Sequence, residues 1–150
     1  MKLSYRVDEP LLMEYHKRKS PVLIYIWWES SGEYYPESNW MDFGIVILSW
    51  WIAATNKLYS GSKREELIFM DGPYRLYLHS EVSELIVKSK DTHIEWRTTI
   101  EDLAFELIRV GDEICSVLDR MNVKDSDSKS LLNSLDKLKN NALSTEPRAS

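Results

Sequence analysis

From Pro21 to Trp28 the chain reads Pro-Val-Leu-Ile-Tyr-Ile-Trp-Trp, a run dense in β-branched and aromatic side chains. Pro21 opens it and Glu29-Ser30-Ser31-Gly32 closes it, which predicts a largely buried strand near 21–28. Apolar and polar positions alternate again over 65–70 and 74–79, on either side of Asp71-Gly72, a strong hairpin signal. A two-residue turn there pairs Phe69 with Tyr74 and Leu67 with Leu76. Pro73 cannot donate to the ladder, so a slightly longer loop is the alternative. The alternation recurs over 82–88 and 92–97, with Leu85 and Val87 set against Ile94 and Trp96 across Ser89-Lys90-Asp91. Four strands joined by short turns predict an antiparallel meander.

Helical spacing is clearest from about 99 to 121, where Ile100, Leu103, Ala104, Leu107, Gly111, Ile114, Cys115 and Leu118 form one stripe. Thr98 and Glu101 have capping-box spacing at its start. A second helix is predicted over 42–58, capped by Asp42 or Ser38, with Phe43, Val46, Ile47, Trp50 and Ala54 on its main face. Ile45, Leu48, Trp51 and Ile52 make the rest of that helix apolar too, so it is either buried on several sides or shows a face to a partner. Asp8-Glu9-Pro10 followed by Leu11, Leu12 and Tyr15 predicts a short helix ending in His16-Lys17-Arg18-Lys19.

The expected fold is therefore α+β: a mainly antiparallel sheet of about five strands (21–28, 65–70, 74–79, 82–88, 92–97) packed by helices near 42–58 and 99–121. Residues 1–121 make a single domain. Residues 122–150 form a polar C-terminal extension, with a marginal helix near 131–142 carried by Leu131, Leu132, Leu135 and Leu138, and a disordered end from Ser144.

Composition narrows the function. The 150 residues carry a net charge of −5, with 43% hydrophobic residues. Residues 1–121 hold 14 basic and 20 acidic side chains, so the acidity belongs to the folded part. That balance argues against gripping phosphate backbones, and no nucleic acid is expected as partner. The apolar window Phe43–Ala54 falls short of the ~20 residues of a membrane-spanning helix. Met1 to Arg6 is followed by Asp8, Glu9 and Pro10 rather than an apolar core, so no secretory signal is expected. The single Cys115 fits a reducing compartment, and a bacterial cytoplasm is the expected location.

No phosphate-loop, dinucleotide, zinc-protease or nucleophile-elbow motif occurs. Gly61-Ser62-Lys63 precedes a strand, not a helix, and is discounted as a phosphate loop. His16, His79 and His93 lack a spacing that argues for a metal, and His79 and His93 read as polar residues on solvated strand faces. Cys115 lies on a buried stripe. Glu65-Glu66, Glu101-Asp102 and Asp112-Glu113 are neighbours that diverge rather than converge. No catalytic residue, metal site or cofactor is expected, and the protein is read as not an enzyme.

The aromatic residues divide. The chain has six tryptophans, eight tyrosines and three phenylalanines. Trp50, Trp96 and one of Trp27 and Trp28 fall on predicted interior faces. Tyr34, Tyr35 and Trp40 sit instead in an irregular segment that carries Glu29, Glu33, Glu37 and Asp42 and no Lys or Arg. They either cover a sheet edge or helix entry, or anchor a partner, as aromatic residues do at binding hot spots. These seven residues are the expected partner-binding site, suited to a basic protein.

Three passages carry a family likeness: Asn39-Trp40-Met41-Asp42-Phe43, Ile47-Leu48-Ser49-Trp50-Trp51, and Phe69-Met70-Asp71-Gly72-Pro73-Tyr74. In a small acidic α+β domain with an aromatic–acidic loop, they resemble the immunity proteins of bacterial toxin systems. The resemblance implies stoichiometric neutralisation of a toxin domain, often a basic nuclease, by a monomer or homodimer. Two other readings stand beside it. One is a homo-oligomer joined through Ile45, Leu48 and Ile52; the other is a small-molecule binder or enzyme with a pocket between helix and sheet.

Overall fold

The computed structural model describes residues 1–144. The chain begins with strand β1 (Lys2–Arg6), helix α1 (Glu9–Lys17) and strands β2 (Ile24–Ser30), β3 (Glu33–Tyr35) and β4 (Met41–Asp42). Helix α2 (Gly44–Tyr59) follows, then β5 (Arg64–Ile68), β6 (Arg75–Ser80), β7 (Leu85–Lys88) and β8 (Glu95–Thr98). Helices α3 (Ile100–Arg120) and α4 (Ser126–Leu143) complete the described chain.

The fold is α+β, but its strands form two antiparallel sheets of four rather than one sheet of about five. In sheet A, β2 pairs with β1 on one side and with β3 and β4 on the other. Sheet B is the expected meander, in the order β5-β6-β7-β8. The split has a simple cause: β2 is flanked by β1 on one edge and by β3 and β4 on the other, so it has no edge left to join the meander. Leu67 faces Leu76 and Val87 faces Trp96, as the alternation predicts. The first hairpin takes its longer loop. Its strands stop at Ile68 and resume at Arg75, while the Phe69 N–H still donates to the Tyr74 carbonyl at 3.1 Å.

Asp8 caps α1 by accepting the Leu11 amide at 3.1 Å, with Pro10 in the first turn as expected. The cap of α3 lies one residue later than predicted, at Thr99, which accepts the Asp102 amide. The helix expected near 131–142 begins at Ser126, where Asp125 and Ser128 form a reciprocal capping box. Its Leu131, Leu135 and Leu138 are fully buried, and it packs on α2 and α3. The expected disorder of the C-terminal end falls on 145–150, outside the described residues.

Helix α2 is the centre of the molecule, touching α4, α3, β2 and β5. Its first residue has to be glycine, because a Cβ on Gly44 would lie 2.0 Å from Ile24 Cγ1 on β2. The face expected to lead its burial does so only in part: Ile47 and Ala54 are buried, and Phe43 and Val46 half-buried. Trp50 is 41% exposed, while Ile45, Leu48, Trp51 and Ile52 are buried. A helix apolar on most sides gives the period no means of choosing between adjacent tryptophans. Trp51 lies inside because its ring packs 5.5 Å from Trp28 of sheet A and 5.1 Å from Phe69, and its Nε1–H donates to the Ile68 carbonyl at 2.9 Å. Self-association through Ile45, Leu48 and Ile52 is thereby removed, since those side chains belong to the core.

The free edge of β1 is closed at Leu3. The Leu3 amide donates to Glu106 at 2.9 Å, and Arg109 donates to the Leu3 carbonyl at 2.6 Å, both from α3. Burial alone would raise the Glu106 carboxyl, but the bonds from Arg109 and the Leu3 amide outweigh it and hold that group below its ordinary range. No helix among the described residues is long and apolar enough to cross a membrane.

Candidate functional site

The acidic–aromatic segment folds as β3, an irregular stretch and β4, and its seven expected site residues part company. Asp42 is completely buried. It is neither the cap of α2, whose N-cap Phe43 has no side-chain bond, nor a surface acid. Its carboxylate accepts Trp40 Nε1–H at 3.0 Å, the Phe43 amide at 2.7 Å and the Asp71 amide at 3.1 Å. It thus ties β4 to the β5–β6 loop, where bonds to a carboxylate are stronger than neutral ones.

Tyr35 is buried as well. Its hydroxyl accepts the Arg75 amide at 3.0 Å and donates to Asp91 at 2.9 Å. Burial, together with the bond to Asp91, holds its phenol well above the ordinary tyrosine range. Its ring lies against Phe69 and Tyr74, and Trp40 packs edge-on to Tyr74 at 5.1 Å. Glu33 accepts Trp96 Nε1–H at 3.2 Å and lies 3.1 Å from His93 Nε2. Tyr35, Asp42, Trp40 and Glu33 therefore join the two sheets. An irregular segment places aromatic residues inside when neighbouring elements supply the walls.

Glu29, Tyr34 and Glu37 remain outward. Strand pairing sets them among residues that the sequence reading did not single out. Paired residues of antiparallel strands share a face, so Lys2, Glu29 and Tyr34 form one row across sheet A. Arg6, Tyr25 and Met41 form another, with Ser4 and Trp27 between them. The outer face of sheet A thus presents Tyr25, Trp27, Tyr34 and Met41. Tyr34 is 48% exposed and the other three are half-buried. On the inner face Leu3, Ile24, Ile26, Trp28 and Tyr35 are buried.

Both signs of charge lie about this face. Exposed Lys2 and Arg6 stand on β1, the Arg6 guanidinium 3.9 Å above the Tyr25 ring. Glu29, on the central strand directly opposite Lys2, accepts Trp27 Nε1–H at 3.0 Å, and Glu37 is exposed between β3 and β4. A segment with four acids and no base in sequence therefore has two cations beside it in space, supplied by β1. The signal that could have found Tyr25 and Trp27 is the period-2 order Ile24-Tyr25-Ile26-Trp27-Trp28. Aromatic residues on the outer positions, where polar ones are usual, hide that period.

Elsewhere the titratable groups are dispersed. His79 pairs with Glu81 at 3.3 Å and His93 with Glu33, so the two histidines serve different carboxylates. No group of three His, Cys, Asp or Glu side chains among the described residues could hold a metal ion. Burial pushes the Cys115 thiol up, away from the thiolate form that a nucleophile needs. Between α2 and the sheets the space is filled by Trp28, Trp51, Phe69 and Tyr35 in ring contact.

Compared with protein-family models, with curated proteins and with solved structures, the chain matches none.

Proposed function

We propose that the protein is a stoichiometric protein-binding module that takes its partner on the outer face of sheet A. One observation carries this reading: Tyr25, Trp27, Tyr34 and Met41 lie together on the outer side of a sheet whose inner side is fully packed. The solvent side of an antiparallel sheet is ordinarily polar, whereas Tyr, Trp, Met and Arg are the residues that interface cores favour. Their rings contribute area with few rotors to freeze.

The charges about the face bear on the partner. Lys2 and Arg6 on β1, with Glu29 beside Lys2 and Glu37 exposed beyond β3, suit a folded protein that sets acidic groups against the cations and basic groups against the acids. Neutralising a toxin domain by covering it one-to-one, in the manner of immunity proteins, is the role assigned to this face. The partner it fits is charge-divided rather than uniformly basic.

The test is affinity capture from the source cells with the full chain, followed by mass measurement of the complex. A one-to-one complex is expected, weakened at least about tenfold by Trp27→Ala or Tyr34→Ala, as hot-spot truncations do. Trp50→Ala, on α2, should leave it intact. A complex indifferent to the first two substitutions overturns the proposal, as does a dimer of the chain itself occupying this face.

A further inference from the structure

A second surface lies along the outer side of α2, where a groove of about 1020 Å³ passes over β5, β6 and β7. Its floor includes Ile68, Tyr77 and Ile86, which the strand register places on the outer face of sheet B. One wall carries Trp50, whose indole is exposed although its neighbour Trp51 is buried. A volume just above the ~300–1,000 Å³ range of small-ligand sites, apolar below and polar at the rim, has room for a compact ligand.

The charges of the groove are not equally available. Glu66 is paired with Arg75 at 3.0 Å, and Glu81 lies 3.3 Å from His79. Lys88 is paired with Glu95 at 3.2 Å, and Glu65 accepts the Ser62 hydroxyl at 2.7 Å. Lys57 and Arg64 also line the groove, and neither has a carboxylate partner among the described residues. Lys57 and Arg64 thus outnumber Glu65, the one lining carboxylate without a cationic partner among the described residues, in a protein of net charge −5. A guanidinium matches a carboxylate, sulfonate or phosphate geometrically, and an ammonium adds a point charge.

We propose that this groove binds a small planar anion. The ring lies against Trp50 and the Ile68–Ile86 floor, and Lys57 and Arg64 take its anionic group. Selectivity comes from both parts: a neutral ring leaves the cations unanswered, and an inorganic anion leaves the indole and floor wet.

Two dyes with the same rings test this on the full chain. Anilinonaphthalene sulfonate carries the anion and phenylnaphthylamine lacks it. One saturable equivalent of the sulfonate is expected, bound about tenfold more tightly than the neutral dye. Lys57→Gln with Arg64→Gln should abolish that preference, and Trp50→Ala should weaken both dyes. These side chains are exposed, and an unchanged urea midpoint confirms that the variants fold. Trp27→Ala should leave dye binding unaltered, which separates this site from the sheet A face. Equal affinity for the two dyes, or a preference that survives the double substitution, overturns the assignment. So does binding of an acidic peptide in place of both dyes.

Discussion

The two sheets share one core and differ on their outer faces. On sheet B the exposed side is laced with opposite charges: Arg75 with Glu66, Lys88 with Glu95, and Arg97 with Glu84. On sheet A the corresponding side carries Tyr25, Trp27, Tyr34 and Met41, with Arg6 laid over Tyr25. Both sheets bury their inner residues equally well, so the contrast does not arise from folding. Cross-strand charge pairs are what a solvated sheet face ordinarily shows. Solvation therefore accounts for the charge-paired part of sheet B, whose apolar Ile68, Tyr77 and Ile86 belong to the groove, and leaves the aromatic face of sheet A in need of another reason, for which a partner is proposed.

Both sheets share one core through Trp51, whose ring touches Trp28 of sheet A and Phe69 beside sheet B. Trp51→Ala should cost about 3–5 kcal/mol, the usual loss for a buried aromatic truncated to alanine. In urea, probes in both sheets should shift together in a single transition. Two separate transitions would show that the sheets unfold as independent bodies.

A smaller effect is expected at Asp42. Truncation to alanine leaves Trp40 Nε1–H and the Asp71 amide without their acceptor. An unsatisfied buried donor costs about 1–3 kcal/mol, so a lowered urea midpoint should follow while near-ultraviolet dichroism reports a loosened Trp40. An unchanged midpoint would show that the two sheets are held together by ring packing alone.

The smallest effect sharpens the contrast between outer faces. Lys88 and Glu95 are both more than half exposed, and pairs of that kind are worth about 0–1 kcal/mol. Lys88→Gln should accordingly move thermal stability within the scatter of ordinary surface changes. A loss as large as that of Asp42→Ala would mean that sheet B's outer face holds the structure rather than merely meeting water.

Much of this architecture is legible in the sequence, for a physical reason. Sheet B and α3 follow from short-range patterns: Leu67 opposite Leu76, Val87 opposite Trp96, and the single stripe from Leu103 to Leu118. Sheet A is harder. Lys2–Arg6 is a five-residue strand whose partner lies beyond a helix, and β4 has only two residues. Neither is long enough to declare a period. The candidate site suffers from the same limit. Tyr34 and Glu37 stay outside, as irregular acidic sequence suggests, while Tyr35 and Asp42 turn inward because Arg75, Asp91 and Asp71 await them from the other sheet. Partners so distant in sequence leave no local mark.

The closure of the β1 edge has a consequence for how anything can approach. An open strand edge is a template: it accepts another strand by main-chain bonding and can propagate from copy to copy. At Leu3 both main-chain groups are already satisfied by Glu106 and Arg109. Sheet A therefore cannot be lengthened there by an incoming strand, from a partner or from a second copy. At that point of the edge a visitor would meet side chains rather than free backbone.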